Sequence, residues 1–169
     1  SPLSCTGYRL PTAAEFEYMA RAGDTGNGLG GFVDAGPFTC ADAGIDDTNW
    51  WCFNADTAKN PRPIVGDCAA LVAGRCARTQ PVASLAPNAF GLYDMHGNVY
   101  EWNHDKYCSS PTDTTDPTGE ECPDAGTREK RGGSLKESVK HQRHSQRSSD
   151  FPTRRIYNIG FRLVLNGGA

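Results

Sequence analysis

Long apolar runs are missing from this 169-residue sequence. None approaches the roughly 18 consecutive apolar residues that a membrane-crossing helix requires, so no membrane span is expected. Cys-x-x-Cys pairs are also missing, which removes the usual spacing of a structural zinc site. No heptad pattern or internal repeat is present, and this excludes a coiled coil or a stacked-repeat architecture. Cysteine disappears altogether after Cys122. The sequence opens at Ser1 without a methionine and carries no charged start followed by an apolar stretch, so no export signal is visible in it.

What is abundant is turn chemistry. Gly 19 and Pro 11 mark a loop-rich chain of single-domain length. Seven cysteines stand at positions 5, 40, 52, 68, 76, 108 and 122, mostly beside Gly, Asp, Ser or Pro. Such scattered, loop-borne cysteines predict disulfides and an extracytoplasmic location, whether secreted, periplasmic or at the cell surface. Near-neighbour pairing gives Cys40 with Cys52, Cys68 with Cys76 and Cys108 with Cys122. Six cysteines allow 15 connectivities, so other pairings stay open. Cys5 is left over and suits a bond to a segment upstream of this chain, or a free thiol.

Charge is uneven. Between Arg128 and Arg155 nine Lys or Arg face three acids, whereas the remainder holds eight bases and 17 acids. A cationic lobe on an acidic body attracts anions. Interleaved aromatics and nucleic-acid motifs are absent from that lobe, so nucleic acid is not expected as a partner.

Only one helix is predicted. Thr12 and Glu15 form a capping box, Phe16, Met19 and Ala20 share one face, and Gly23 stops the helix after about Ala22. Residues 24–81 read as long cross-linked loops, with Asp42, Asp46 and Asp47 more simply solvated than metal-binding. Short strands are predicted over 98–102, 130–134 and 159–165, the last alternating Phe161, Leu163 and Leu165 with Gly160, Arg162 and Val164.

The run Pro87-Asn-Ala-Phe-Gly-Leu-Tyr-Asp-Met-His-Gly-Asn-Val-Tyr-Glu-Trp102 alternates aromatic anchors with turn residues and oxygen donors. Asp94, Gly97, Val99 and Glu101 are spaced so that two carboxylates and two backbone carbonyls can converge on one hard cation. A plain turn between two aromatic patches explains the same spacing.

Four motifs then fall into order: Tyr8-Arg-Leu-Pro-Thr-Ala-Ala-Glu-Phe-Glu-Tyr18, the 87–102 run, Arg131-Gly-Gly-Ser134 and Asn158-Ile-Gly-Phe-Arg-Leu163. Together they resemble the formylglycine-generating enzyme family, the sulfatase-modifying factors. The resemblance implies an α+β, C-type-lectin-like fold of low regular content, braced by disulfides. It also implies that residues 1–169 form a carboxy-terminal portion of such a domain, whose amino-terminal part is absent from this chain and is its expected partner, with Cys5 as the candidate for a disulfide link to it. By matching position it implies calcium at Asp94, Gly97, Val99 and Glu101.

Members of that family oxidise a substrate cysteine with copper(I) and two redox cysteines soon after the Gly-Gly-Ser motif. Here Leu135-Lys-Glu-Ser-Val-Lys-His-Gln-Arg143 occupies that place, so no soft thiolate pair can be built and formylglycine generation is not expected. Three readings follow. The first is a non-catalytic, calcium-supported recognition module that binds an anionic glycan or a protein through residues 135–156. Its ligand-binding candidates are Arg154, Arg155, Tyr157, His141 and His144, while Arg143, Arg147 and Arg162 brace the fold by pairing with acids such as Glu101 or Asp105. The second is an oxidoreductase with copper or iron on His141 and His144, at i and i+3 with Glu137 a turn earlier; solvated loop histidines explain those residues more simply. The third is a structural or envelope-complex component with no ligand site, and a special form of the first is a variable binding protein of the diversity-generating retroelement type, which such a Gly-Phe-Arg ending also resembles.

Overall fold

In a computed structural model, residues 6–26, 48–51, 78–109, 126–137 and 139–166 are described, with short pieces at 4, 55, 71–72 and 75–76. Cys5, Cys40, Cys52, Cys68, Cys122 and the Asp42, Asp46 and Asp47 group lie outside the described residues. Cys108 is disulfide-bonded, but the predicted pairings themselves fall outside those residues.

The helix α1 (Ala13–Arg21) forms where the capping box requires it. Thr12 Oγ1 accepts from the Glu15 amide at 3.2 Å, and the Glu15 carboxylate accepts from the Thr12 amide at 2.8 Å. Ala22, not Gly23, is the left-handed cap, at φ 45°. The helix buries Ala13, Phe16 and Ala20, and Phe16, Ala20 and Met95 form a small core with Met19 and Leu92 packed against it.

This helix packs on a four-stranded sheet. Its strands follow β1 (Gly7–Arg9), β2 (Leu71–Val72) and β3 (Arg75–Cys76) in the chain: β4 (Tyr100–Lys106), β5 (Arg128–Arg131), β6 (Ser148–Asp150) and β7 (Ile159–Gly160), in the order β6-β5-β4-β7. β4 runs antiparallel to β5, placing Glu101 opposite Arg131, and parallel to β7, placing Glu101 beside Gly160. β5 stops at Arg131 rather than Ser134 because Gly132 and Gly133 both turn to positive φ. The predicted final strand is interrupted: after β7 the backbone leaves the sheet at 161–163, and β8 (Val164–Asn166) pairs instead with β1, Tyr8 opposite Leu165. The alternation of Phe161, Leu163 and Leu165 is therefore not a core face. These side chains and Tyr8 are 51–71% exposed.

More polar and charged than apolar side chains are buried among the described residues. Glu129, 1% exposed, meets Arg131 Nε at 2.8 Å and Arg147 Nη2 at 2.5 Å, and Arg131 reaches back to Glu17 on α1 at 2.9 Å. Helix and sheet are thus joined by ion pairs as much as by apolar contact. Regular structure is sparse, as a C-type-lectin-like fold of this type demands.

Candidate functional site

The 87–102 run is built around one close approach. Gly97, at φ 80°, donates to the Gly132 carbonyl at 2.7 Å, and a Cβ there would stand 1.9 Å from the Trp50 carbonyl oxygen. Asn98 clamps the neighbouring chain by accepting from the Gln80 amide at 3.0 Å and donating to its carbonyl at 3.1 Å. Beside this turn Asp94, Val99 and Glu101 line one cavity of about 430 Å³, together with Tyr93, Phe161 and Arg162. Gly97 is not in its wall.

Glu101 is buried, and that burial raises its carboxyl above the ordinary range; Arg162 opposes the shift and the nearby Asp94 charge adds to it. Arg162 bonds both Glu101 oxygens and donates to the carbonyls of Tyr93 and Asp94, each at 3.2 Å. The Asp94 Oδ2 accepts from the Ala83 amide at 2.7 Å. Two carboxylates in one wall, both oxygen donors and neither exhausted by these bonds, suit a hard cation such as calcium. No group of three or more His, Cys, Asp or Glu side chains able to hold a metal occurs among the described residues, so such a cage also needs backbone oxygens.

The ligand-binding candidates separate into two sets. Arg154, Arg155 and Tyr157 are exposed, near Phe151, and Lys136 Nζ sits 4.5 Å from the centre of the Tyr157 ring. Asn158 anchors this segment: its carbonyl accepts from the Tyr100 amide at 2.9 Å and its side chain donates to Ser134 Oγ at 3.1 Å. His141 is half-buried, with Nδ1 3.6 Å from Glu137 Oε2. His144 instead points inward. It is 6% exposed and its ring meets that of His96 at 4.7 Å, tilted by 48°, with Nε2 3.3 Å from Asp24 Oδ2. His141 and His144 therefore do not share one site. Of the three bracing arginines, Arg147 holds Glu129 and Arg162 holds Glu101, whereas Arg143 donates to the Lys140 carbonyl at 3.0 Å.

Sequence reasoning did not single out His96 or Asp24. They lie 72 positions apart, and nothing local links them.

The sulfatase-modifying factor enzyme 1-like domain matches residues 3–167. The chain belongs to that family. Among curated relatives, this sulfatase-modifying-factor domain is 34% identical to the formylglycine-generating enzyme of Streptomyces coelicolor, over 94% of the chain and 46% of the enzyme. It is 33% identical to the formylglycine-generating enzyme of Mus musculus, over 95% of the chain and 40% of that protein. The chain thus spans less than half the length of these relatives. Among solved structures, Treponema denticola variable protein 1 superposes with a TM-score of 0.64 at 28% identity, over 98% of this chain and 50% of that one.

Proposed function

We propose that this sulfatase-modifying-factor domain is a non-catalytic recognition module, stabilised by calcium and binding an anionic group through its 135–156 segment and the adjoining Tyr157. The observation that carries this reading is the chemistry after the Gly-Gly-Ser motif, where the chain offers carboxylate, amide and imidazole groups but no thiol. Likeness to a protein named as variable supports a binding role over turnover. The exposed Arg154 and Arg155 supply forked donors for sulfate or carboxylate, and Phe151 and Tyr157 supply flat faces for the apolar side of a sugar.

Calcium on Asp94 and Glu101, with the Val99 carbonyl, would pin the 94–101 turn against β4 and share Glu101 with Arg162, while Gly97, outside that wall, would shape the turn. The apolar outer face of the β1–β8 ribbon supports the amino-terminal part of the same domain as a partner.

An array of sulfated and carboxylated glycans at two salt concentrations tests the binding role. Salt-sensitive binding lost in Arg154→Ala/Arg155→Ala is expected, and an array with no acidic hits overturns it. Conversion of a cysteine-bearing sulfatase peptide to its aldehyde would overturn the non-catalytic reading. For calcium, the thermal midpoint should rise on calcium addition, and Glu101→Gln should abolish the rise; equal melting with and without chelator rejects the site.

A further inference from the structure

Beneath the C-terminal end of α1 lies a second cavity, of about 230 Å³, which meets the first at Leu92 and Asp94. Its polar wall carries Asp24, Asp94, His96 and His144, and its apolar wall includes Ala20, Leu92 and Met95. The Asp24 carboxylate can only accept, so it draws the His144 proton to Nε2 and leaves Nδ1 as a bare lone pair. Burial lowers the tendency of His144 to protonate despite Asp24, which keeps the ring an acceptor. His144 Nδ1 is buried without a hydrogen-bond partner, whereas the neighbouring His96 ring has the Ala20 and Gln142 backbones within reach.

A buried polar atom left unanswered costs about 1–3 kcal/mol, so this wall favours an incoming donor. The sign of charge narrows the donor. Among the described residues Asp24 and Asp94 line the cavity, while the cationic lining residue, Arg21, is committed to Glu17 Oε1 at 2.9 and 2.7 Å and to the Gly26 carbonyl at 2.7 Å. The described residues offer no three-ligand metal set, whereas the alanine, leucine and methionine wall suits a short hydrocarbon.

We propose that this cavity binds a primary alkylammonium group, carried by a free amine or by a lysine side chain of a partner protein, which donates to His144 Nδ1 while Asp24 answers its charge. The site shares no lining residue with the Arg154–Tyr157 surface, so it and the anion-binding reading can fail separately; it shares Asp94 and Leu92 with the cavity of the calcium reading, and calcium is therefore held constant in the test.

The probe is n-butylammonium titrated into the full chain at constant calcium and followed by amide NMR. Saturable shifts are expected at residues 20–24 and 144, and n-butanol, which lacks the charge, should leave them unmoved. His144→Phe keeps an aromatic ring against His96 but has no lone pair and should weaken binding at least about tenfold. Asp24→Asn, at a half-exposed side chain, should weaken it in parallel in a chain of unchanged fold. A lysine-containing peptide that binds more tightly than the amine assigns the source to a protein partner; equal or weaker binding assigns it to a free amine. Absence of saturation, equal binding of n-butanol, undiminished binding by both variants, or saturation by zinc ion in place of the amine would overturn the site.

Discussion

Glu129 is the most deeply buried carboxylate among the described ion pairs, and two guanidinium groups converge on it. It answers Arg131 and Arg147 from a position almost sealed from solvent, so removing it leaves Arg131 with Glu17 as its carboxylate and Arg147 with the Cys108 carbonyl. Glu129→Ala is expected to cost about 3–5 kcal/mol, read from the urea midpoint. Asp105 behaves differently. It accepts from the Ala13 amide at 2.8 Å, yet burial pushes its carboxyl up to about 6 from 3.8. The folded chain therefore holds this proton more tightly than the unfolded one, so the contribution is present below about pH 4 and lost as pH rises through about 6. Asp105→Asn should erase that part of the pH dependence, and unfolding titrations at pH 4 and pH 7.5 measure it. An unchanged pH slope would show that Asp105 does not titrate in this window.

At the level of elements, local rules were legible and long-range ones were not. The capping box at Thr12 and Glu15 names its own hydrogen bonds, and Thr12→Ala should cost about 1 kcal/mol by thermal melting. The Gly97 turn was readable as a turn, but the reason for its glycine is the Trp50 carbonyl, 47 positions away. Gly97→Ala should cost more than about 2 kcal/mol and loosen the 94–101 segment, seen as faster amide exchange there. The 159–165 segment misled because alternating apolar residues mark a strand without saying which side is covered. Likewise Glu101 and Asp94 could be placed together from spacing within one run, while Asp24, His96 and His144 converge from three separate segments that no periodicity connects.

For the molecule as a whole, the family motifs carried the fold because they sit at its hinges: the capping box seats α1, the 87–102 run shapes the turn before β4, Gly132 and Gly133 end β5, and Gly160 leads out of the sheet. Tyr8 and Leu165 lie directly across the β1–β8 ribbon, with Leu163 and Phe161 following along the same stretch of chain. A two-stranded ribbon is marginal alone, and this one turns its greasy side to water. Purified by itself, the chain should therefore be adhesive: sedimentation velocity should show mass growing with concentration and Leu165→Lys should restore a monomer, whereas a single sharp species at all concentrations would show that the ribbon tolerates its own wetness.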